Sequence, residues 1–288
     1  FPSFLEYEMV KKNFVNYLNF FIKYLAFFLI IFFYRQKIII KVVNIYNFFK
    51  VEKFRYDFFC KLRLFLLIRN YRFLMETKNL TNNLKKYFEI NKIKNKNFTY
   101  LYIAHTDDNS SIESNSDDLK IGLLGAIDGD RKNYDIIFDA LNKIKEKEIH
   151  IFFLGSNINQ ASRTVIEKFN NYKTYFASGY LPDDIFYEWG KKCDLLISTN
   201  KTDIIKGYGS LKGTGPFGDA IYLSKPLLIL SQVDPIKEFK DFAFYYENDD
   251  DFFLTFKKII DQNDYMNVNF RDYKFLDNIN RIVNDLNL

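Results

Sequence analysis

The 288-residue chain predicts an α/β fold in two parts, the second a doubly wound parallel sheet. Three observations predict it. Short apolar runs alternate with amphipathic stretches along most of the chain, the pattern of parallel strands joined by helices. One polar, acidic stretch, His105 to Asp118, interrupts that alternation, which restarts at Lys120. Two glycine-bearing turns directly follow apolar runs, at Gly125 and at Gly207 to Ala220. The carboxyl ends of strands are where open α/β sheets bind ligands.

Taken in order, the first part reads as helix 6–34, strand 37–45, helix 54–68, strand 71–76, helix 80–88 and strand 98–104. The run Tyr24 to Phe33 is ten apolar residues, about 15 Å of helix and half of what a bilayer core requires. Extending it to 14–34 places Lys23 near its middle, at roughly 3 kcal/mol on insertion scales. A buried or interfacial helix is therefore expected rather than a span. Residues 54–68 mix Arg55, Lys61 and Arg63 with apolar residues at helical spacing. That pattern suits a membrane surface or a helix packed on a sheet equally well. The domain boundaries predicted are 1–110, a linker at 111–119, and 120–288.

In the second part, strand 120–124 runs into the first glycine turn. Helix 133–147, strand 149–154, helix 160–170 and a short strand 174–177 follow. Pro182 opens a helix to 192, with Asp183 and Asp184 in its first turn as the helix dipole prefers. Strand 194–198 leads to the second glycine loop and to a short helix at 216–224. Strands 227–231 and 243–246 and helices 250–262 and 270–288 complete the chain. His150 lies inside an apolar strand and is expected in the core. Tyr187 and Trp189 lie on a helix and are expected to pack.

Composition bounds the rest. Two cysteines, Cys60 and Cys193, lie far apart, and there are only two histidines. Neither a disulfide framework nor a histidine-rich metal centre fits, and a reducing, cytoplasmic setting suits the chain best. The net charge of +5 hides a split. Residues 1–100 hold 19 Lys+Arg against 6 Asp+Glu, and the remaining 22 basic residues face 30 acidic ones. A basic, aromatic first part suits anionic lipid headgroups. Nucleic acid is the other usual partner, and a solvated basic face is the plain alternative. The chain begins at Phe1 rather than Met, which suggests a fragment.

The two glycine turns carry the candidate chemistry. After strand 120–124 the sequence reads Gly125-Ala-Ile-Asp-Gly-Asp-Arg131-Lys132. Gly125 allows a tight turn, and Arg131 and Lys132 place two cations at the start of the next helix, where they suit phosphate oxygens. The second loop has five glycines between Gly207 and Gly218. It offers backbone amides of Gly213, Thr214, Gly215 and Phe217, the Thr214 hydroxyl and Lys212 to an anion at a helix N-terminus. Asp219, next to Gly218, suits ribose or sugar hydroxyls or, equally, its own helix end. The first turn is neither a GxGxxG nor a GxxxxGK[ST] motif, which weakens a nicotinamide or ATP reading. Two phosphate-friendly loops on one crevice suit a nucleoside diphosphate.

These segments resemble the second half of retaining GT-B glycosyltransferases, near family 4 of that class. The likeness rests on Gly125 to Asp135, on Leu181 to Ser198 (LPDDIFYEWGKKCDLLIS), and on Thr214 to Ile229. It is clear over about 120–232 and weaker over 37–105. It implies two Rossmann-like domains with the first incomplete. The second domain would hold a nucleotide sugar, and a glycan or lipid-linked acceptor would be met by the first. Arg131 and Lys132 take the place of the diphosphate cations and Thr214 to Gly218 that of the donor loop. Asp219 stands at the second glutamate of an E-x7-E pattern. The first glutamate is absent, because Leu211 stands eight positions earlier. His105, at a strand end facing the implied cleft, is a further candidate to touch acceptor or phosphate. The resemblance implies no resident cofactor or metal, no nucleic-acid partner, and a cytoplasmic protein peripheral to the inner membrane face. A catalytically inactive or truncated relative serving as a membrane-associated binding protein is the second reading.

Overall fold

The computed structural model describes residues 39–41, 72–90, 98–102, 118–144, 147–156, 160–201, 208 and 214–286. The expected helices at 6–34 and 54–68, most of the strand expected at 37–45, and the stretch 103–117 lie outside them. Among the described residues no helix is long and apolar enough to cross a membrane.

Two parallel sheets organise the chain. The first contains β1 (Ile39–Lys41), β2 (Arg72–Met75) and β3 (Phe98–Tyr100), in that spatial order. Helix α1 (Lys78–Ile90) connects β2 to β3 and packs on both. Three rings, Phe73, Phe88 and Phe98, make its small core, with centroids 5.1 to 5.5 Å apart.

The second sheet has six strands: β4 (Leu119–Leu124), β5 (Ile149–Leu154), β6 (Lys173–Tyr175), β7 (Leu195–Ser198), β8 (Leu227–Leu230) and β9 (Ala243–Tyr246). Their spatial order is β6-β5-β4-β7-β8-β9, all parallel. Strands β7 and β8 are buried along their whole length. Helices cover both faces of such strands, so they read as continuous apolar runs. Strand β6 is a three-residue edge with exposed ends, which limits unwanted pairing.

Helices α2 (Tyr134–Lys143), α3 (Gln160–Lys168), α4 (Asp183–Lys192), α5 (Gly215–Leu223) and α6 (Asp249–Gln262) make the connections and flank the sheet. Helix α4 packs on β4, β5 and α5, while α2 packs on α6. Right-handed crossovers put these two groups on opposite faces. Strand β4 leads out to one side through α2, and β7 to the other through α5. The order therefore reverses between β4 and β7, the point where a doubly wound sheet opens a crevice at its carboxyl edge.

Local signals set the helix ends. Asp183 and Asp184 begin α4, and Lys191 and Lys192 end it, both favourable to its dipole. The Asn248 side chain caps α6 by accepting from the Asp251 N–H at 3.0 Å. The helix expected at 270–288 is shorter. A 3-10 turn at Arg271–Tyr273 and an extended Lys274 precede α7 (Phe275–Leu286). The reason is Tyr273, which is buried with its ring 5.1 Å from Phe242 and 4.9 Å from Tyr102. Helix α7 then packs on β3 of the first sheet. There the Thr99 hydroxyl donates to Asp285 at 2.7 Å, and the Arg281 guanidinium lies 3.8 Å above the Tyr100 ring.

Candidate functional site

At the carboxyl end of β4 the chain turns at Gly125, whose φ of +81° favours glycine. The turn is held on β5: the Gly125 N–H donates to Leu154 O at 2.9 Å and the Ile127 N–H to Ser156 O at 3.0 Å. The buried Ser162 hydroxyl donates to Ile127 O at 2.7 Å. Gly155 makes this close approach possible. A Cβ there would lie 2.1 Å from Gly125 O and 2.8 Å from the Ala126 nitrogen.

The remainder of the loop folds around Asp128. Its carboxylate accepts from the backbone N–H of Asp130 at 3.0 Å and from the Arg131 side chain at 2.5 Å. That guanidinium holds the Asp128 carboxyl below the usual range. The loop is tied to the segment following β7. The Asn133 N–H donates to Thr199 O and the Lys201 N–H to Arg131 O, both at 2.9 Å, and Lys132 pairs with Asn200 in an antiparallel bridge. The Lys201 ammonium reaches Gly129 O at 2.7 Å. The first loop is thereby tied to the segment that leads out of β7.

Arg131 and Lys132, adjacent in sequence, have opposite fates. The Arg131 side chain is 58% exposed and anchored on Asp128, at the rim. Lys132 turns inward beneath the glycine turn and donates to Leu124 O. Burial, reinforced by the Arg131 charge, pushes its pKa down to about 8, while Asp219 and Asp128 work against that shift.

Asp219 lies on α5, beyond the second loop. Burial pushes its carboxyl up to about 6, opposed by Lys132. Lys132 and Asp219 each feel the other's charge. Thr214 occupies the N-cap position of α5, yet its side chain makes no capping bond. Among the described residues, no atom would lie within 4 Å of a Cβ on Gly215. The N-cap side chain thus leaves the N–H groups of Gly215 and Phe217 to another acceptor, Pro216 having none, the condition that favours an anion at a helix N-terminus.

Phe217 contributes no side chain to this crevice. Its ring is buried and stacked on Phe239 at 4.2 Å, and Gly218 is buried within the helix. Gly125, Lys132, Thr214, Gly215 and Asp219 lie around this candidate site and Arg131 at its edge, while His105, Lys212 and Gly213 lie outside the described residues. Several neighbours of the candidate site escaped the sequence reading: Asp128, Gly155, Lys201, and the Ser198 and Thr199 hydroxyls, which are buried at the end of β7 with no hydrogen-bond partner among the described residues. For Asp128 and Gly155 the signal was present, an aspartate two residues before the tight turn's Asp130 and a glycine ending an apolar strand.

The expectation that His150 is a core residue needs correction. It lies at the opposite, amino edge of the sheet, 12% exposed. Its Nε2 is 3.8 Å from Asp118 and 3.7 Å from Glu148, and its Nδ1 is 3.3 Å from the Tyr175 hydroxyl. This is the one grouping of possible metal ligands among the described residues, and the Lys173 ammonium already pairs with its Glu148. Trp189 packs on Phe152 as expected, whereas Tyr187 is 39% exposed beside Tyr222.

No family model matches the chain, and no curated protein matches it. Solved structures do. The lipopolysaccharide outer core galactosyltransferase WaaB aligns with a TM-score of 0.53 at 8% identity, over 86% of this chain and 74% of its own. The GtfA/B complex gives 0.52 at 13% identity, over 90% of this chain and 52% of that one. TarM gives 0.51 at 12% identity, over 87% and 50%. The chain spans about half the length of the last two. The fold is that of the GT-B glycosyltransferases.

Proposed function

We propose that the protein is a glycosyltransferase that moves a sugar from a nucleotide-diphosphate donor to a hydroxyl of a glycan or lipid-linked acceptor. The observation that carries this reading is the presence at the β4–β7 switch point of half-buried Lys132 beneath the Gly125 turn and of an α5 N-terminus whose Thr214 side chain makes no capping bond. A buried cation and a helix N-terminus together favour a dianionic group. The likeness in fold to a galactosyltransferase supports the same class.

In this reading the diphosphate lies between the Gly125 turn and Thr214–Gly215, with Lys132 below and Arg131 at the rim. Asp219 accepts from a donor hydroxyl. The bond between the sugar's anomeric carbon and the diphosphate oxygen breaks, and its electron pair goes to the diphosphate. The acceptor oxygen forms the new bond on the same face and its proton passes to the leaving diphosphate, giving retention. Lys132, Arg131 and the helix end stabilise the developing charge, and positioning supplies much of the rest. These groups provide positive charge without a metal, and we assign neither metal nor resident cofactor. The basic first hundred residues support peripheral placement on the cytoplasmic face of an anionic membrane, which flotation with anionic vesicles tests.

One observation favours a second reading, an inactive relative that keeps nucleotide binding: Leu211 stands where the resemblance places a glutamate. A thermal-shift panel of nucleoside diphosphates and sugar nucleotides tests the binding site. Sugar-nucleotide turnover then separates the two readings. A nucleoside diphosphate that stabilises the wild type and the Arg131→Ala/Lys132→Ala variant equally would remove the site assignment.

A further inference from the structure

At the amino edge of the second sheet, the register of three strands gathers four polar side chains. Glu148 immediately precedes β5 and His150 is its second residue, so the two share a face of that strand. Asp118 immediately precedes β4, whose Leu119 pairs with Ile149, and this sets Asp118 level with Glu148. On the other side Lys173, the first residue of β6, pairs with His150. The diphosphate crevice lies at the opposite, carboxyl edge of the same sheet.

Three of these residues offer ligand atoms to one point. His150 Nε2 is 3.8 Å from an Asp118 carboxylate oxygen and 3.7 Å from Glu148 Oε1, and one ligand atom of each residue lies within 4.8 Å of the others. Bonds of about 2.1 Å to a tetrahedral ion put neighbouring ligand atoms about 3.4 Å apart, so a modest contraction would complete a coordination sphere.

The imidazole points to a ligand independently. Its Nε2 is buried with no hydrogen-bond partner among the described residues, and both carboxylates stand beyond hydrogen-bond reach. Buried polar atoms are rarely left unsatisfied, and a bound ion is one explanation for such an orphan. The other ring nitrogen, Nδ1, is 3.3 Å from the Tyr175 hydroxyl. A proton on Nδ1 donated to that oxygen turns the Nε2 lone pair toward the carboxylates, the arrangement by which a second residue orients a metal-ligating histidine.

The ligand set decides the ion. Two carboxylates balance a double positive charge, and the imidazole nitrogen disfavours magnesium and calcium, which take shells of oxygen. Zinc accepts this mixture, with water in the fourth position. Lys173 is the competitor, since its ammonium pairs with Glu148. Both partners are exposed, and such a pair is released at little cost.

We propose that Asp118, Glu148 and His150 bind a divalent transition-metal ion of the zinc class, which clamps the starts of β4 and β5. The ion is structural and remote from the reacting groups, to which no metal is assigned. The site does not depend on the glycosyltransferase reading.

The test is calorimetric titration of the full chain with zinc chloride and, separately, with magnesium chloride, with melting temperatures measured in parallel. Zinc should bind the wild type and raise its melting temperature. His150→Ala and Glu148→Gln should each bind zinc about tenfold or more weakly and lose that thermal shift. Glu148→Gln, at an exposed position, reports on the site even where His150→Ala fails to fold. Lys173→Gln should bind zinc at least as tightly as the wild type, because the competing ammonium is gone. No zinc binding by the wild type, unchanged affinity in either ligand variant, or weaker binding by Lys173→Gln overturns the site. Magnesium displacing zinc at equal concentration overturns the choice of ion.

Discussion

Gly155 and Gly125 touch so closely that a single methyl on the first would lie 2.1 Å from the carbonyl oxygen of the second. The contact is backbone against backbone, at the ends of adjacent strands, and it sets the height of the first loop over the crevice. Lys132 lies beneath that loop, so the contact reaches the charge of the site.

Gly155→Ala therefore cannot be absorbed by a side-chain rotation. The Gly125 turn must lift, at about 2–3 kcal/mol, which lowers the melting temperature by roughly 5–10 °C. Nucleoside diphosphate affinity should fall in the same variant. Thermal denaturation with parallel titration measures both. Unchanged values for both would show that the turn does not depend on this contact.

Lys132 is costly to bury. Its pKa falls from 10.5 to about 8, which corresponds to about 3 kcal/mol against the charged form. The unfolded chain holds this proton up to about pH 10.5, while the folded chain releases it near 8. The full penalty is thus present below pH 8 and shrinks as pH rises toward 10. Lys132→Met should stabilise the protein at pH 7 by about 1–3 kcal/mol and abolish diphosphate binding. The stability advantage should narrow at pH 9.5. Urea melts at the two pH values read this directly, and a variant less stable than wild type at pH 7 would contradict it.

Buried strands were the most legible part of the fold. Strands β4, β5, β7 and β8 are apolar on both faces and end at Gly125, Gly155, the polar Thr199–Asn200 pair and Ser231, so period and punctuation agree. The edge strand β6 carries no such pattern, and its expected position was off by a residue or two. Helix α7 shows the limit of periodicity. Its amphipathic stripe announced a buried face, but nothing local says that the face meets β3, some 180 residues earlier in the chain. The first glycine turn of the candidate site was legible because turn chemistry is local, while most of the second lies outside the described residues. The separation of Arg131 from Lys132 was not legible, since it depends on Asp128 capturing one side chain while Leu124 O receives the other.

The Glu238 carboxylate caps α1 from a remote part of the chain, through the N–H groups of Lys78 and Asn79. The first turn of α1 has no acidic residue of its own, and Thr77 Oγ1 accepts from the Leu80 N–H at 3.1 Å. Glu238→Ala should cost about 1–2 kcal/mol, as for other lost caps. It should also raise amide exchange at residues 78–80 more than anywhere in β4–β9. Glu238→Gln keeps one acceptor and should recover part of the protection. Hydrogen-exchange mass spectrometry distinguishes this from general destabilisation, which would spread across both sheets.

The charge of Lys132 should govern the pH dependence of nucleotide binding, and its neighbours should tune that dependence in opposite directions. Once the free protein loses this proton near pH 8, the affinity for a nucleoside diphosphate should fall about tenfold for each further pH unit. Asp219 favours the charged lysine and Arg131 disfavours it. Asp219→Asn should therefore move the falling limb to lower pH, and Arg131→Ala should move it higher while weakening binding throughout. Titrations of UDP or GDP between pH 6 and 10 on the three proteins supply the curves. Limbs that coincide in all three would mean that Lys132 is not the titrating group, and shifts in the same direction would mean that Asp219 and Arg131 do not act on it through their charges.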